Sequence, residues 1–143
     1  MKCETIIDSS CEEKVVIYAR ERTQLVEDIE RLVSKKAEYI LGYEDGSVYK
    51  LGREDVYCFS VEDGKVFAVT RDGRLRVKER LYELEAEWGS DFLKINQSCL
   101  VNVGKIERFE SSIGGSLSVL LSNSYRDYIS RRQIKAVKER IGF

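Results

Sequence analysis

Three short stretches of the chain carry the side chains best suited to holding a ligand. The first, Asn96-Gln97-Ser98, separates two apolar runs in FLKINQSCLVN, residues 92–102. An amide buried without a partner costs on the order of 1–3 kcal/mol, so the triplet either makes a turn or faces something polar. Asn and Gln can each form two hydrogen bonds to adenine N7 and N6 in a major groove, and Ser can bond a base or a phosphate. Asn and Ser are equally at home in turns that bind nothing. The second stretch is the start of the last helix. Ser130 and Gln133 form the S-x-x-Q pattern of a capping box, in which the hydroxyl satisfies the third helical amide and the Gln side chain reaches back to the cap residue. Arg131 and Arg132 then occupy the first turn, where the helix dipole disfavours a cation by roughly 0.3–1 kcal/mol. Guanidinium groups beside free helix-start amides make a phosphate cradle; alternatively, both arginines point into water or pair with carboxylates. The third stretch is RDGRLRVK, residues 71–78, in which Arg74, Arg76 and Lys78 alternate with Leu75 and Val77 and so share one side of a strand. That row is either a solvated face or a ligand contact.

Catalytic chemistry is poorly supplied. The chain contains no His, which removes the commonest general base and the usual partner of a Ser or Cys nucleophile. Neither GxxxxGK[ST] nor a helix-opening GxGxxG occurs, the two motifs that most often seat the phosphates of a nucleotide. The adjacent carboxylates Glu54-Asp55 and Glu62-Asp63 lie in turn contexts. The expectation is a protein that is not an enzyme, takes no small-molecule substrate and needs no cofactor. Cys3, Cys11, Cys58 and Cys99 show no CxxC pairing, so no metal site is expected from them and they read as free buried thiols.

The 143 residues, 43% of them hydrophobic, are enough for one ordinary domain with a real core and a modest extension. No run approaches the roughly 20 apolar residues that cross a bilayer, and the N-terminus lacks the apolar segment of a signal peptide, so a cytoplasmic location is expected. The net charge of -1 conceals an uneven distribution. Residues 1–34 carry five Lys/Arg against eight Asp/Glu, whereas residues 92–143 carry nine against four. A locally basic C-terminal third in an acidic chain indicates a localised anionic partner.

These side chains need elements to position them. KVVIYA, residues 14–19, reads as a strand, followed by a helix from Thr23 to Lys36 with Leu25, Ile29, Leu32 and Val33 on one side. That stripe either packs on its own domain or makes a dimer contact. From residue 37 the texture changes to short alternating runs punctuated by Asp45-Gly46, Asp63-Gly64, Asp72-Gly73 and Gly114-Gly115, the signals of tight reversals between antiparallel strands. A short helix, with Leu81, Leu84 and Trp88 as its apolar stripe, divides the strands, and the last helix is anchored by Ile134, Val137 and Ile141. The resulting expectation is a mainly β protein, α+β overall, with an N-terminal βα extension over residues 1–36, a β-rich domain over 37–143 and a C-terminal helix.

Taken in order, VYCFSVEDGKVFAVTRDGRLRVKERLYELE, then FLKINQSCLVNVGKIERFE, then YISRRQIKAVKERIG resemble the LytTR family of bacterial DNA-binding domains over residues 37–143. The resemblance implies about ten strands in three small antiparallel sheets, and loops, rather than a recognition helix, that enter successive major grooves of double-stranded DNA. It also implies three contact points: the hairpin tip at Asp63, Gly64 and Lys65, the triplet Asn96, Gln97 and Ser98, and the helix start at Arg131 and Arg132. Asn96 and Gln97 would reach bases or adjacent phosphates, Arg132 guanine or backbone, and Lys65 and Arg131 phosphate. Family members often carry His or Arg where this chain has Asn96 and Gln97, which implies different preferred bases. Many members begin with a receiver domain, for which 34 residues leave no room. The function expected is a stand-alone, sequence-specific transcription regulator that binds DNA as a homodimer, with the N-terminal extension as the dimerisation element. The competing function is a protein-interaction module acting through the N-terminal helix and an edge strand, with a membrane protein as partner and DNA binding lost or incidental.

Overall fold

The computed structural model describes residues 2–12, 14–34 and 38–143. The chain falls into two compact units, residues 1–36 and 37–143. In the first, helix α1 spans Gln24–Ser34, and the expected end at Lys35-Lys36 lies outside the described residues. Among the described side chains of α1, Val26 is buried and Ile29 partly buried, while Leu25, Leu32 and Val33 are exposed, so only Ile29 of the stripe read from the sequence lies towards the packed side. The strand expected at residues 14–19 does not form; these residues are irregular, with Val15, Val16 and Tyr18 exposed. A β-prone run without a neighbouring strand leaves its backbone groups unpaired, and propensity alone does not hold it extended.

Among its described residues the second unit contains ten strands and two α-helices, in the order β1 (Tyr39–Glu44), β2 (Ser47–Gly52), β3 (Val56–Glu62), β4 (Lys65–Thr70), β5 (Gly73–Val77), α2 (Leu81–Trp88), β6 (Phe92–Asn96), β7 (Cys99–Asn102), β8 (Ile106–Ser111), β9 (Leu117–Leu121), β10 (Arg126–Ile129) and α3 (Arg131–Ile141). Hydrogen bonding joins them into two sheets rather than the expected three: a seven-stranded sheet in the order β2-β1-β5-β4-β3-β7-β6 and a three-stranded sheet β10-β9-β8. The third sheet is lost because a single pair, Tyr43 opposite Arg76, fuses the β1–β2 hairpin to β5. Close approach there needs Gly42, since a Cβ on it would lie 2.8 Å from that of Leu75.

Alternation sends each strand's side chains to two separate cores. On one face of the large sheet, Phe59, Val66, Ala68, Leu75, Leu100 and Phe92 pack under Leu84 and Trp88 of α2, with the rings of Phe59 and Phe92 5.2 Å apart. On the other face, Cys58, Leu93, Ile95, Cys99 and Val101 meet Val119, Leu121 and Ile129 of the small sheet and Val137 of α3. Strands β3, β6 and β7 are therefore covered on both sides, which explains why CLV is an unbroken apolar run and why FLKI is apolar at every position but the half-buried Lys94. Strands β1, β2, β4 and β5 are covered on the α2 side, and their other face carries the row Arg74, Arg76 and Lys78, all exposed. All four cysteines are free. Cys58 and Cys99 are buried as expected, whereas Cys3 and Cys11 are exposed, because no core reaches the irregular segment that carries them.

Candidate nucleic-acid interface

Three segments far apart in sequence are tied together at one end of the large sheet. Gln97 and Ser98 form the two-residue turn between β6 and β7, closed by the pair Asn96 opposite Cys99, and both are exposed. Ser60 pairs with Cys99 on the neighbouring strand, and the Val61 amide donates to the Ser98 carbonyl at 2.9 Å. The β3–β4 turn therefore begins beside the β6–β7 turn and projects past it. In that turn Asp63 and Gly64 have φ of 52° and 74°, the conformation that suits a two-residue hairpin, and Lys65 is exposed at its exit. On the far side of β6, the Ser130 amide donates to the Ile95 carbonyl at 2.8 Å, which places the start of α3 next to the triplet.

Asn96 is the joint of this arrangement. Expected at an exposed tip, it is only 1% exposed: its Nδ2 donates to the Tyr128 carbonyl at 2.9 Å and its Oδ1 accepts from the Ser98 amide at 2.8 Å. A buried amide with both ends committed is satisfied within the fold, and it could reach a groove only by breaking both bonds. Asn96 thus fixes the turn that presents Gln97 and Ser98 and ties that turn to β10, which leads into α3. The sequence logic that flagged a costly polar residue was correct; its partner proved to be the chain itself.

The capping box expected at Ser130 and Gln133 is also corrected. Ser130 makes no side-chain cap bond; the Gln133 and Ile134 amides bond to its carbonyl instead. Ile95 of β6 already satisfies the Ser130 amide that Gln133 would have reached, so the box has nothing to add. Arg131 and Arg132 are exposed. Among the described residues neither they nor Lys65 forms an ion pair, while Arg74 pairs with Glu62, and Arg108 and Arg126 with Glu110. The tip end therefore presents uncompensated cations, free helix-start amides and one uncharged amide side chain, a set that suits phosphates with a base edge between them. Ile134 and Val137 hold α3 on the core as expected, while Ile141 is partly exposed.

A second buried amide escaped notice in the sequence. Asn102, which ends β7, donates from Nδ2 to the Arg53 and Val56 carbonyls at 3.0 and 2.9 Å and accepts from the Gly104 amide at 3.0 Å. Its signal was present: a polar residue closing the apolar run CLV.

The model of the LytTr DNA-binding domain matches residues 46–142. This chain belongs to the LytTR family. A solved LytTr DNA-binding domain from Bacillus cereus shares its fold, with a TM-score of 0.71 at 17% sequence identity over 75% of this chain and 99% of that one. Two relatives from Staphylococcus aureus, strains bovine RF122 / ET3-1 and NCTC 8325 / PS 47, are each 31% identical over 144 residues, covering 99% of this chain and 98% of theirs; both are named uncharacterized HTH-type transcriptional regulators. The LytTR unit described here has no helix-turn-helix among its described residues, since five strands separate α2 from α3.

Beneath the β6–β7 turn of this LytTR unit lies Cys99. Its thiol is pushed well above the ordinary range, first by a hydrogen bond with Cys58 and then by burial. Native Cys99 stays protonated at pH values where an unfolded thiol, with a pKa of about 8.5, has ionised. Its contribution to stability is therefore fully present below pH 8.5 and declines above it, as the unfolded state loses a proton that the native state keeps. Urea titrations at stepped pH should show stability falling above about pH 8.5 by up to roughly 1.4 kcal/mol per pH unit. Cys99→Ala should flatten that decline.

Proposed function

We propose that this chain is a sequence-specific transcription regulator that acts in the cytoplasm and grips double-stranded DNA with the three tips at one end of its large sheet. In this reading Gln97 reads a base edge in the major groove, Ser98, Lys65 and Arg131 hold phosphates, Arg132 takes guanine or backbone, and Asn96 positions the reading turn without touching DNA. The observation that carries the reading is the convergence of two hairpin turns and a helix start on one end of the sheet, with their cations unpaired. The names of the S. aureus relatives support the regulatory role.

The regulator acts as a homodimer on repeated half-sites, and the exposed Leu25, Leu32 and Val33 of α1 support that extension as the dimerisation element. Selecting bound fragments from a random DNA pool will supply the site, and the repeat spacing will report the dimer geometry. A salt titration on that site then tests the grip. Each neutralised phosphate adds about 0.9 to the slope of log K against log salt, so three cations per subunit should give a slope steeper than about 2 in magnitude. Arg132→Ala should weaken binding about tenfold. A flat salt response, or full affinity in the Arg132 variant, rejects the reading.

A further inference from the structure

Of the row Arg74, Arg76 and Lys78 on the open face of the large sheet, none is used by the three tips, and the strand register places Lys78 in a second row that starts at the tip residue Lys65. Glu62 pairs with Lys65, and Val66 pairs with Val77, so Lys78, the next residue on, stands beside Lys65. From there Lys78 reaches the next strand, its Nζ lying 4.6 Å from the centre of the Tyr43 ring on β1. Two residues back along β1, Leu41 pairs with Lys50 of β2, whose Nζ lies 4.3 Å from the Tyr39 ring. Lys65, Lys78 and Lys50 thus form one row across β4, β5, β1 and β2, near the end of the sheet that carries the tips. With strands about 4.8 Å apart, the row is roughly 14 Å long. Among the described residues none of the three lysines pairs with a carboxylate, and Glu62, which stands opposite Lys65, is taken by Arg74. Aromatic faces hold two of the ammonium groups in place without neutralising them.

The order α3 start, β6–β7 turn, β3–β4 turn, β5, β1, β2 along the sheet end makes this row a continuation of the line of tips. We infer that Lys78 and Lys50 hold the phosphate backbone of DNA flanking the sequence read by the tips, extending the footprint by about four base pairs on one side. This rests on the DNA-binding mode proposed above. It assigns the row to positioning rather than to base reading, because phosphate contacts carry no sequence information.

The test uses the full chain, fluorescence anisotropy and a duplex carrying one selected repeat, either with ten flanking base pairs on each side or with one flank removed. For the wild type, removing one particular flank should lower affinity, and removing the other should not. On the long duplex Lys50→Ala/Lys78→Ala should cost about 25-fold at 0.15 M salt and reduce the salt slope by about two, since each lost phosphate contact is worth about fivefold there. On the duplex lacking the sensitive flank, the double variant should match the wild type. Equal loss on both duplexes, or no loss on either, overturns the inference while leaving wild-type binding intact. Absence of salt-dependent binding by the wild type itself defeats the underlying reading instead. A third arm uses poly-L-glutamate: if the double variant loses affinity for it but keeps full affinity for the long duplex, the row serves an acidic polypeptide and the DNA assignment is wrong.

Discussion

Alanine at position 102 is expected to lower the stability of the 37–143 unit by about 3 kcal/mol. Asn102 is 7% exposed, and its amide satisfies two carbonyls and one amide at the corner where β7 leaves the sheet. Truncation leaves those groups unpaired. The Val56 carbonyl belongs to a residue with no exposure, so water cannot easily replace the lost donor there. In urea the loss should appear as a lower midpoint with an unchanged slope, and on heating as a melting temperature lower by about 10–20 °C. Asn102→Asp separates the contributions. It keeps an acceptor for the Gly104 amide, removes both donors and turns a negative charge towards two carbonyls, so it should destabilise at least as much as alanine. A loss below about 1 kcal/mol for alanine would mean that solvent takes over the amide's bonds and that they add little to the fold.

The second large effect is expected from Asn96→Ala, and it should appear in DNA affinity more than in stability. The two bonds of Asn96 reach the Ser98 amide and the Tyr128 carbonyl, so alanine loosens the turn and cuts its tie to the strand that feeds α3. Ser98 is exposed and its amide can turn to water, which limits the stability loss to about 1–2 kcal/mol. In the proposed binding mode recognition depends on holding two tips at a fixed separation, and freeing one should weaken specific binding at least tenfold, by way of the ordering entropy then lost on association. Asn96→Asp keeps the acceptor that shapes the turn and loses the donor to β10, so its defect should be intermediate. Gln97→Ala keeps the turn and removes the reading group, so it should relax preference at one base pair while retaining salt-dependent affinity. If Asn96→Ala bound the selected site as tightly as the wild type, the positioning role would be untenable.

Much of this was legible in the residues. Asp-Gly pairs marked the hairpins because φ above zero is cheap only for a few residue types, and Asp45, Asp63, Gly46 and Gly64 all adopt it. The triplet and the Arg-Arg helix start stood out because each broke a local rule of burial or helix-dipole charge. What was not legible depended on partners distant in sequence. Asn96 read as exposed because its partner, the Tyr128 carbonyl, lies 32 residues away, and the capping box failed because a strand 35 residues earlier had already filled the site. VVIY near the N-terminus met every local condition for a strand except a neighbour to pair with. The lysine row is invisible in one dimension, since Lys50 and Lys65 sit on different strands and Lys78 just past the end of a third.

The order of the seven-stranded sheet also bears on how the chain reaches this shape. Of the eight strand pairings among the described residues, six join strands consecutive in sequence. Only the β1–β5 and β3–β7 pairings bring distant segments together. Hairpins of this kind close in about 1–10 μs, so most of the ladder can assemble locally, at little cost in loop-closure entropy. The two long-range closures remain as the slow steps, and β3–β7 is the one that sets the reading turn beside the β3–β4 tip. The sheet end proposed to meet DNA therefore depends on a long-range closure, and a chain in which β3 and β7 have not paired lacks the proposed grip.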